Sequence, residues 1–347
     1  TMRKLWIFAL FSALVVAGCS GGNQQAQSET TGSSTPATSG GEATKPDGSG
    51  EFKVALLTPG PVTDQGWSAM AYDGLKEIET ELKATVNNQE AQGTQIREAM
   101  RTYARDGYKL IFGHGFEYNA PAMEVAKEFP NTVFISSSGA ETAANVGAFR
   151  FYLEQGFYLA GMTAALMSKT GKLAMIGGDE VPSIKSTFKA FEAGAKAAKP
   201  GIVVTTTFTG SGQDVAKAKL ATLQAISNGA DMIIHQANAA AAGVFEACKE
   251  KKVMAFGANL DQNSDPSNSV LASAVIVAKP AFVALAKKVQ EGSYQGQIEL
   301  MGMKEGAIDF VWNPAMVNSI PADVRSQVEK AKADILSGSL VVPKDEF

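Results

Sequence analysis

The sequence holds few of the residues on which most enzymes and metalloproteins depend. Its 347 residues include only 2 histidines, His114 and His235, which lie far apart and lack the spacing of metal ligands. No G-x-S-x-G, P-loop or H-E-x-x-H motif is present. The segment TGSGQD (209–214) has two glycines but lacks the third glycine of a dinucleotide fingerprint. We therefore predict a protein that is not an enzyme and that holds no metal or cofactor.

Long apolar runs are also scarce. Residues 5–16 form one, which follows two positive charges and is too short for a membrane-spanning helix. Such a pattern is typical of a secretory signal peptide, here residues 1–18. The run ends in VAGC (16–19), which resembles a bacterial lipobox. This predicts acylation of Cys19, palmitate included, and a protein lipid-anchored to the cell membrane that faces the periplasm or exterior. The alternative is an ordinary signal peptide followed by a chance cysteine.

Hydrophobic residues are absent from the segment that follows. Residues 20–50 contain no aromatic residue and no Val, Leu, Ile or Met, so nothing in them offsets the entropy lost on ordering. We expect residues 19–51 to be a flexible tether with a reach of about 30 Å. The net charge of −4 becomes more negative if the signal peptide is removed, which argues against a nucleic-acid partner. With Cys19 lipidated, Cys248 would remain as the one thiol, so no disulfide is expected.

From Phe52 onward, short β-branched runs alternate with Ala-rich helical patterns. This alternation is typical of parallel sheets covered by helices on both faces. It predicts an α/β protein of two doubly wound lobes, joined by a multi-strand hinge, with a ligand cleft between them. We expect an N-terminal lobe (52–143 plus 261–300), a C-terminal lobe (144–260 plus 301–347) and a closing β pair near 297–312. The other predicted strands are KVALLT (53–58), KLIFG (109–113), TVFIS (132–136), NVGAFRF (145–151), KLAMIGG (172–178), IVVTTTF (202–208), DMIIHQA (231–237), VMAFG (253–257) and VLASAV (270–275).

Small and polar residues collect where these strands end, which is where doubly wound folds bind ligands. The loop TPGPVTDQGWSAMAY (58–72) places Asp64 and Trp67 directly before a helical pattern. A tryptophan in such a turn often packs on its own helix, but a strand end favours a flat plate for a ring-shaped ligand. Amides and hydroxyls at the other strand ends would then fix the ligand's edge. A sugar-binding cleft uses the same residue types, so these residues alone leave the ligand open.

A resemblance to a known family rests on several segments in conserved order. The segment DQGWSAMAYDGL (64–75) resembles the first signature of the basic membrane protein family, the purine-nucleoside-receptor type of substrate-binding lipoprotein. The resemblance implies a monomer with the type I periplasmic-binding fold, which delivers a small ligand to the permease and ATPase of an ABC importer. Further matching segments are AKEFPNTVFI (126–135), FYLEQGFYLAGMTAALMSKTGKLAMIGG (151–178), FEAGAKAAKPGI (191–202), GAD (229–231) and GANLDQ (257–262).

The resemblance also implies a set of ligand-binding residues. Trp67 stands where the family has an aromatic residue that stacks on a base, and Asp64 where an acidic residue bonds the ligand. The Gly-Trp pair resembles the branch associated with free purine base. Phe116 or Phe188 would supply a second plate. The full expected set is Asp64, Gln65, Trp67, Gly115, Phe116, Ser137, Phe188, Asn238, Gly257, Asn259 and Asp261.

Some positions depart from the family's nucleoside-binding pattern. Ser136–Ser138 replace a frequent Asp, Asn259 replaces the first acid of G-x-D-x-D-Q, Ile276 replaces a frequent Lys, and Gly212 replaces an aromatic residue. The leading hypothesis is an extracytoplasmic lipoprotein that binds a purine nucleoside or purine base for import. The alternatives are another ring-containing ligand, flavin or sugar-like, for uptake or sensing, and an enzyme on the same scaffold.

Overall fold

The computed structural model describes residues 51–64 and 66–346. The predicted signal peptide, Cys19, nearly all of the tether and Gln65 lie outside the described residues. Within the described part of the chain, no helix is both long enough and apolar enough to cross a bilayer.

Strands and helices alternate along the described chain. The first half runs through β1 (Lys53–Thr58), α1 (Trp67–Leu82), β2 (Thr85–Glu90), α2 (Gln95–Arg105), β3 (Leu110–Gly113), α3 (Asn119–Val125), β4 (Val133–Ser137), β5 (Val146–Phe151) and α4 (Glu154–Met167). The second half runs through β6 (Lys172–Gly177), α5 (Pro182–Ala198), β7 (Val203–Phe208), α6 (Val215–Ser227), β8 (Met232–Gln236), α7 (Ala241–Lys251), β9 (Met254–Asn259), β10 (Val270–Ile276), α8 (Ala278–Gln290), β11 (Ile298–Met301), β12 (Ile308–Trp312) and α9 (Ala322–Ser337).

The strands form two sheets with the same internal order. The first sheet runs β11-β5-β4-β3-β1-β2, and the second runs β12-β10-β9-β8-β6-β7. All neighbouring strands are parallel except β12, which is antiparallel to β10. The strands β1 to β5 therefore correspond one by one to β6 to β10. The prediction of two doubly wound α/β lobes is confirmed.

The chain crosses between the lobes at residues 152–153, at residue 277 and at residues 302–307. The expected boundaries at 143/144 and 260/261 therefore need correction, because β5 pairs with β4 in the first sheet and β10 pairs with β9 in the second. In both cases the fifth strand of a lobe runs on into a helix of the other lobe. The expected boundary at 300/301 lies next to the third crossing.

Two further strand predictions differ from the structure. The predicted closing β pair is wrong because β11 pairs with β5 in the first sheet while β12 pairs with β10 in the second. The strand β2, TVNNQE, was not predicted; it forms the edge of the first sheet against β1. An edge strand with mostly polar, solvent-accessible side chains lacks the apolar run on which strand prediction depends.

The two lobes pack one equivalent pair of helices in different ways. In the second lobe α4 crosses α5 with main chains in contact: a Cβ atom on Gly161 would lie 2.0 Å from the Phe191 carbonyl oxygen, and one on Gly194 would lie 2.0 Å from that of Tyr158. In the first lobe α8 packs on α1, and a Cβ atom on Gly74 would meet the Phe282 ring at 2.8 Å. Of these two pairs, only the α4–α5 pair of the second lobe therefore depends on backbone contact.

Candidate functional site

A cavity of about 560 Å³ lies between the lobes at the carboxyl ends of the strands. Its size falls within the range of about 300–1,000 Å³ that small-molecule sites occupy. Both lobes contribute, since the lining follows β1, β2, β3 and β4 on one side and β6, β7, β8 and β9 on the other. The lining includes Asp64, Trp67, Phe116, Glu117, Ser138, Arg150, Glu154, Asp179, Gly212, Gln236, Asn238 and Asn259.

Trp67 is the first residue of α1 and forms part of the cavity wall. Its indole ring stacks on His114, with ring centroids 3.9 Å apart and planes 20° apart. The indole Nε1 donates a hydrogen bond to the His114 carbonyl oxygen at 3.0 Å. His114 is fully buried and does not line the cavity, so one indole face is covered from behind while the half-buried ring borders the cavity.

Asp64 is buried beside Trp67, and its carboxylate caps α1. One carboxylate oxygen accepts hydrogen bonds from the amides of Gly66 and Ala69, and the other accepts one from the amide of Ser68, each at 2.9 Å. A carboxylate at a helix N-terminus satisfies amides that have no partner within the helix. Asp64 thus lines the cavity with oxygens that already hold three backbone donors.

Asn259 supplies the opposite kind of group, a buried acceptor without a donor. Its side chain is 2 % exposed, and its Nδ2 donates to Gln236 Oε1 at 3.2 Å. Its Oδ1 has no hydrogen-bond partner in the part of the chain that the structure describes. Asn259 also has a φ of 69°, in the left-handed region that costs a non-glycine residue energy. A buried unpaired carbonyl on the cavity wall is suited to accept a hydrogen bond from a ligand.

The position equivalent to Asn259 in the first lobe is also strained. Ser138 follows β4 as Asn259 ends β9, and it has a φ of 74°. Both residues line the cavity. Backbone strain of this kind clusters at functional sites, where the surrounding structure holds it.

Sequence reasoning missed a buried ion pair at the first crossing. Arg150 near the end of β5 and Glu154 at the start of α4 both line the cavity, and the guanidinium contacts the carboxylate directly. Ser186 Oγ donates to Glu154 at 2.5 Å and also accepts from Arg150 at 3.2 Å. Burial raises the pKa of the Glu154 carboxyl, and the guanidinium beside it partly offsets that effect. The available signal was an arginine within an otherwise apolar strand, four residues before a glutamate.

The charge of the lining is predominantly negative. Its acidic residues are Asp64, Glu117, Glu154 and Asp179, and its one basic residue among the described positions is Arg150, which is paired with Glu154. Desolvation, together with the nearby charge of Asp179 from the second lobe, raises the pKa of Glu117. Such a lining favours uncharged or cationic ligands over phosphates.

The two lobes touch beside the cavity. A Cβ atom on Gly66 would lie 3.2 Å from the Asn238 Cα atom, and one on Gly60 would lie 3.5 Å from Gln213 Nε2. Glycine at residue 66 thus lets the loop before α1 approach the second lobe closely. The lobes are therefore in contact beside the cavity as well as connected at the crossings.

The structure brings six of the predicted site residues to the cavity and leaves four outside it. Those at the cavity are Asp64, Trp67, Gly115, Phe116, Asn238 and Asn259. Those outside it are Ser137, Phe188, Gly257 and Asp261, while Gln65 lies outside the described residues.

Each of the four has another place in the fold and does not line this cavity. Phe188 is a core residue between Phe157 and Phe208. Gly257 packs under Ser273, and exposed Asp261 accepts a hydrogen bond from the Asn263 amide.

Ser137 is buried behind the cavity and bonds to the His114 ring. Among residues 51–64 and 66–346, no cluster of three or more His, Cys, Asp and Glu side chains is placed to hold a metal ion.

Comparison with known proteins agrees with this architecture. Residues 52–346 match the family model described as Bmp, ABC transporter substrate-binding protein PnrA-like. The chain is 30% identical to the purine-binding protein of Brucella abortus, over 84% of this chain and 82% of that protein. It is 29% identical to the nucleoside-binding protein BmpA of Lactococcus lactis, over 84% of this chain and 89% of that one. An ABC transporter solute-binding protein of Aeropyrum pernix has a similar fold, with a TM-score of 0.76 and 22% identity over 85% of this chain and 94% of that one.

Two doubly wound lobes around a cleft, together with this structural similarity, define the type I periplasmic-binding fold. The chain belongs to the family of PnrA-like substrate-binding proteins of ABC transporters. Members of this family are extracytoplasmic transporter components and not enzymes, and they bind small molecules. Family membership, and not the scarcity of catalytic residues, assigns the chain to this role.

Proposed function

We propose that this protein captures a purine base or purine nucleoside for an ABC importer. The observation that carries the proposal is the pairing of an aromatic residue on one lobe with an unpaired acceptor on the other: Trp67 and Asn259 both line one cavity, and Asn259 Oδ1 has no hydrogen-bond partner among the described residues. Stacking would hold the purine ring, while Asn259 would accept a hydrogen bond from an amino group, a ring N–H or a hydroxyl. The names of the relatives from Brucella abortus and Lactococcus lactis support the same ligand class.

The ligand is expected to be uncharged. The negative lining and the pairing of Arg150 with Glu154 leave no basic group among the described lining residues that lacks an acidic partner. A phosphate would meet repulsion from Glu117 and Asp179. We therefore expect AMP to bind much more weakly than adenosine or adenine.

The proposal is tested by calorimetric titration of protein that has been unfolded, dialysed to remove any bound ligand, and then refolded. Adenine, adenosine, guanosine, AMP and riboflavin are titrated separately. Binding of a purine base or nucleoside supports it, whereas riboflavin binding alone, or no purine binding at millimolar concentration, refutes it.

Replacement of Trp67 by alanine tests the plate itself. Loss of a stacking ring should weaken purine binding at least about tenfold, equivalent to about 1.4 kcal/mol. Trp312 is a matched control, because it is also half-buried and its Nε1 also donates a hydrogen bond, to Glu329, but it lies outside the cavity. Unchanged affinity in Trp67→Ala, or equal losses in Trp67→Ala and Trp312→Ala, would contradict stacking on Trp67.

We also propose that the protein is a monomer tethered to the membrane through lipid on Cys19. The VAGC segment and the polar residues that follow it support this anchor. Labelled palmitate should enter the wild-type protein in cells but not Cys19→Ser, which should leave the membrane fraction. Palmitate incorporation into Cys19→Ser would contradict the assignment.

A further inference from the structure

His114 is a buried titratable residue to which the proposed function so far gives no part. It follows β3, is fully buried and does not reach the cavity. Each polar contact of its ring nevertheless leads to Trp67 or orients the ring that contacts Trp67. The nearest comparison is His235 at the end of β8, which is equally buried but contacts Gln262 and Phe245 instead.

The hydrogen bonds define the tautomer of His114. Its Nε2 lies 3.0 Å from the Trp67 carbonyl oxygen, which can only accept, so Nε2 carries the proton and donates. Its Nδ1 lies 2.8 Å from Ser137 Oγ and therefore accepts from that hydroxyl in the neutral ring. Burial lowers the pKa of His114 to about 3, in agreement with a neutral imidazole.

Trp67 and His114 hold each other by three contacts. Trp67 Nε1 donates to the His114 carbonyl oxygen, His114 Nε2 donates to the Trp67 carbonyl oxygen, and the two rings stack. Behind His114 lies the buried Phe282 ring, with centroids 5.9 Å apart. The indole is thus the outer member of an aromatic column that continues into the core of the first lobe.

We propose that His114 is a positioning residue, which holds the Trp67 ring in the orientation that a ligand needs and is itself oriented by Ser137. This inference rests on the proposed stacking role of Trp67. Because the indole is already ordered before binding, the binding free energy is not reduced by the entropy cost of immobilising that side chain. Ser137, predicted as a direct ligand contact, then acts through His114.

The test uses full-length protein labelled with 5-fluorotryptophan and first examined without ligand. The sequence has tryptophans at residues 6, 67 and 312, so the ¹⁹F resonance lost in Trp67→Phe identifies Trp67. His114→Gln retains a donor for the Trp67 carbonyl but removes the ring, and His114→Phe retains a ring but removes both nitrogens. His235→Gln is the matched control, since it removes an equally buried histidine from the other lobe.

We expect both His114 variants to broaden or shift the Trp67 resonance and to increase its H₂O/D₂O isotope shift, while His235→Gln leaves it unchanged. Adenine affinity should fall about two- to tenfold in the His114 variants, the range that corresponds to ordering one side chain. Ser137→Ala should have a smaller effect in the same direction. Ser136→Ala, which loses only a contact to Asn119, should have none.

An unchanged Trp67 resonance in both His114 variants, or an equal change in His235→Gln, would overturn the proposal. If the His114 variants do not fold, the contrast between Ser137→Ala and Ser136→Ala decides by the same signal. If the wild-type protein does not bind adenine but His114→Gln releases Trp67, the ligand assignment fails while the positioning role stands.

Discussion

The two lobes share one strand order, but they present different groups to the cavity. In the first lobe Asp64 lines the cavity and accepts three amides, and His114, which lies behind Trp67, has both ring nitrogens hydrogen-bonded. In the second lobe the Asn259 carbonyl oxygen has no hydrogen-bond partner among the residues that the structure describes. The first lobe therefore supplies a surface whose orientation is fixed by internal hydrogen bonds. The second lobe supplies an acceptor, Asn259 Oδ1, that a bound ligand could pair with a donor.

The helix pairs give the largest expected difference between the lobes. Gly194→Ala would place a Cβ atom 2.0 Å from a main-chain oxygen of α4, so the helices must separate. Gly74→Ala meets a Phe282 side chain, which can shift. We expect Gly194→Ala to lower the free energy of unfolding by about 3 kcal/mol or more and Gly74→Ala by about 1–2 kcal/mol. Urea denaturation measures both, and equal losses would show that the pairs are equivalent.

The two buried histidines, one in each lobe, make stability depend on pH. Burial lowers the pKa of His114 to about 3 and that of His235 to about 4, from 6.5. The unfolded chain therefore binds more protons than the folded one, and stability falls as pH drops from about 6.5 to about 4. Each histidine should contribute up to about 1.4 kcal/mol per pH unit.

Urea denaturation at several pH values, with His114→Gln and His235→Gln, measures these contributions. Each substitution should reduce the slope of the unfolding free energy against pH, between pH 6 and pH 4, by up to the contribution of one proton. A slope that neither substitution changes would mean that the histidines are not kept neutral in the fold.

Asn259→Gly separates ligand recognition from stability in the second lobe. Glycine relieves the strain of a positive φ and removes the unpaired carbonyl, but it also removes the hydrogen bond to Gln236. We expect stability to change by less than about 1 kcal/mol while purine affinity falls about tenfold. Thermal unfolding and calorimetry measure the two quantities. A matching loss of both would mean that Asn259 is structural.

Asp64→Ala has the smallest expected effect on ligand affinity and tests the first lobe. Loss of the carboxylate leaves three amides at the start of α1 without their partner, which should cost about 1 kcal/mol of stability. Ligand affinity should fall less than in Trp67→Ala, because the carboxylate oxygens are already engaged. A larger loss of affinity than in Trp67→Ala would restore Asp64 as the main ligand residue.

Most strands could be predicted because they are buried. Parallel strands covered on both faces read as apolar runs, as in LLT of β1 and MII of β8. The edge strand β2 could not, since its side chains are polar. The lobe boundaries were misplaced because β5 and β10 look like any other strand, and only pairing shows which sheet each one joins.

The candidate site was predictable only in part. Position at a strand end was enough to select Trp67, Asn238 and Asn259, all of which line the cavity. It also selected Asp261, which faces solvent, and Phe188 was selected as an aromatic residue although it lies in the core. The Arg150–Glu154 pair was missed because the role of a charged residue in an apolar segment can be assigned only when its partners in the fold are known.

The amino-acid sequence was enough to predict the alternation of strands and helices, the doubly wound fold class and the protein family, because apolar periodicity and the order of motifs are local properties of the chain. The tertiary structure alone decided which polar groups are paired and which are open. Asp64 lies in the loop between β1 and α1 and Asn259 ends β9, but the Asp64 carboxylate accepts three amides at the start of α1, whereas Asn259 Oδ1 meets no donor among the described residues. That distinction depends on neighbours that are distant in sequence and on burial from water, which no local pattern records.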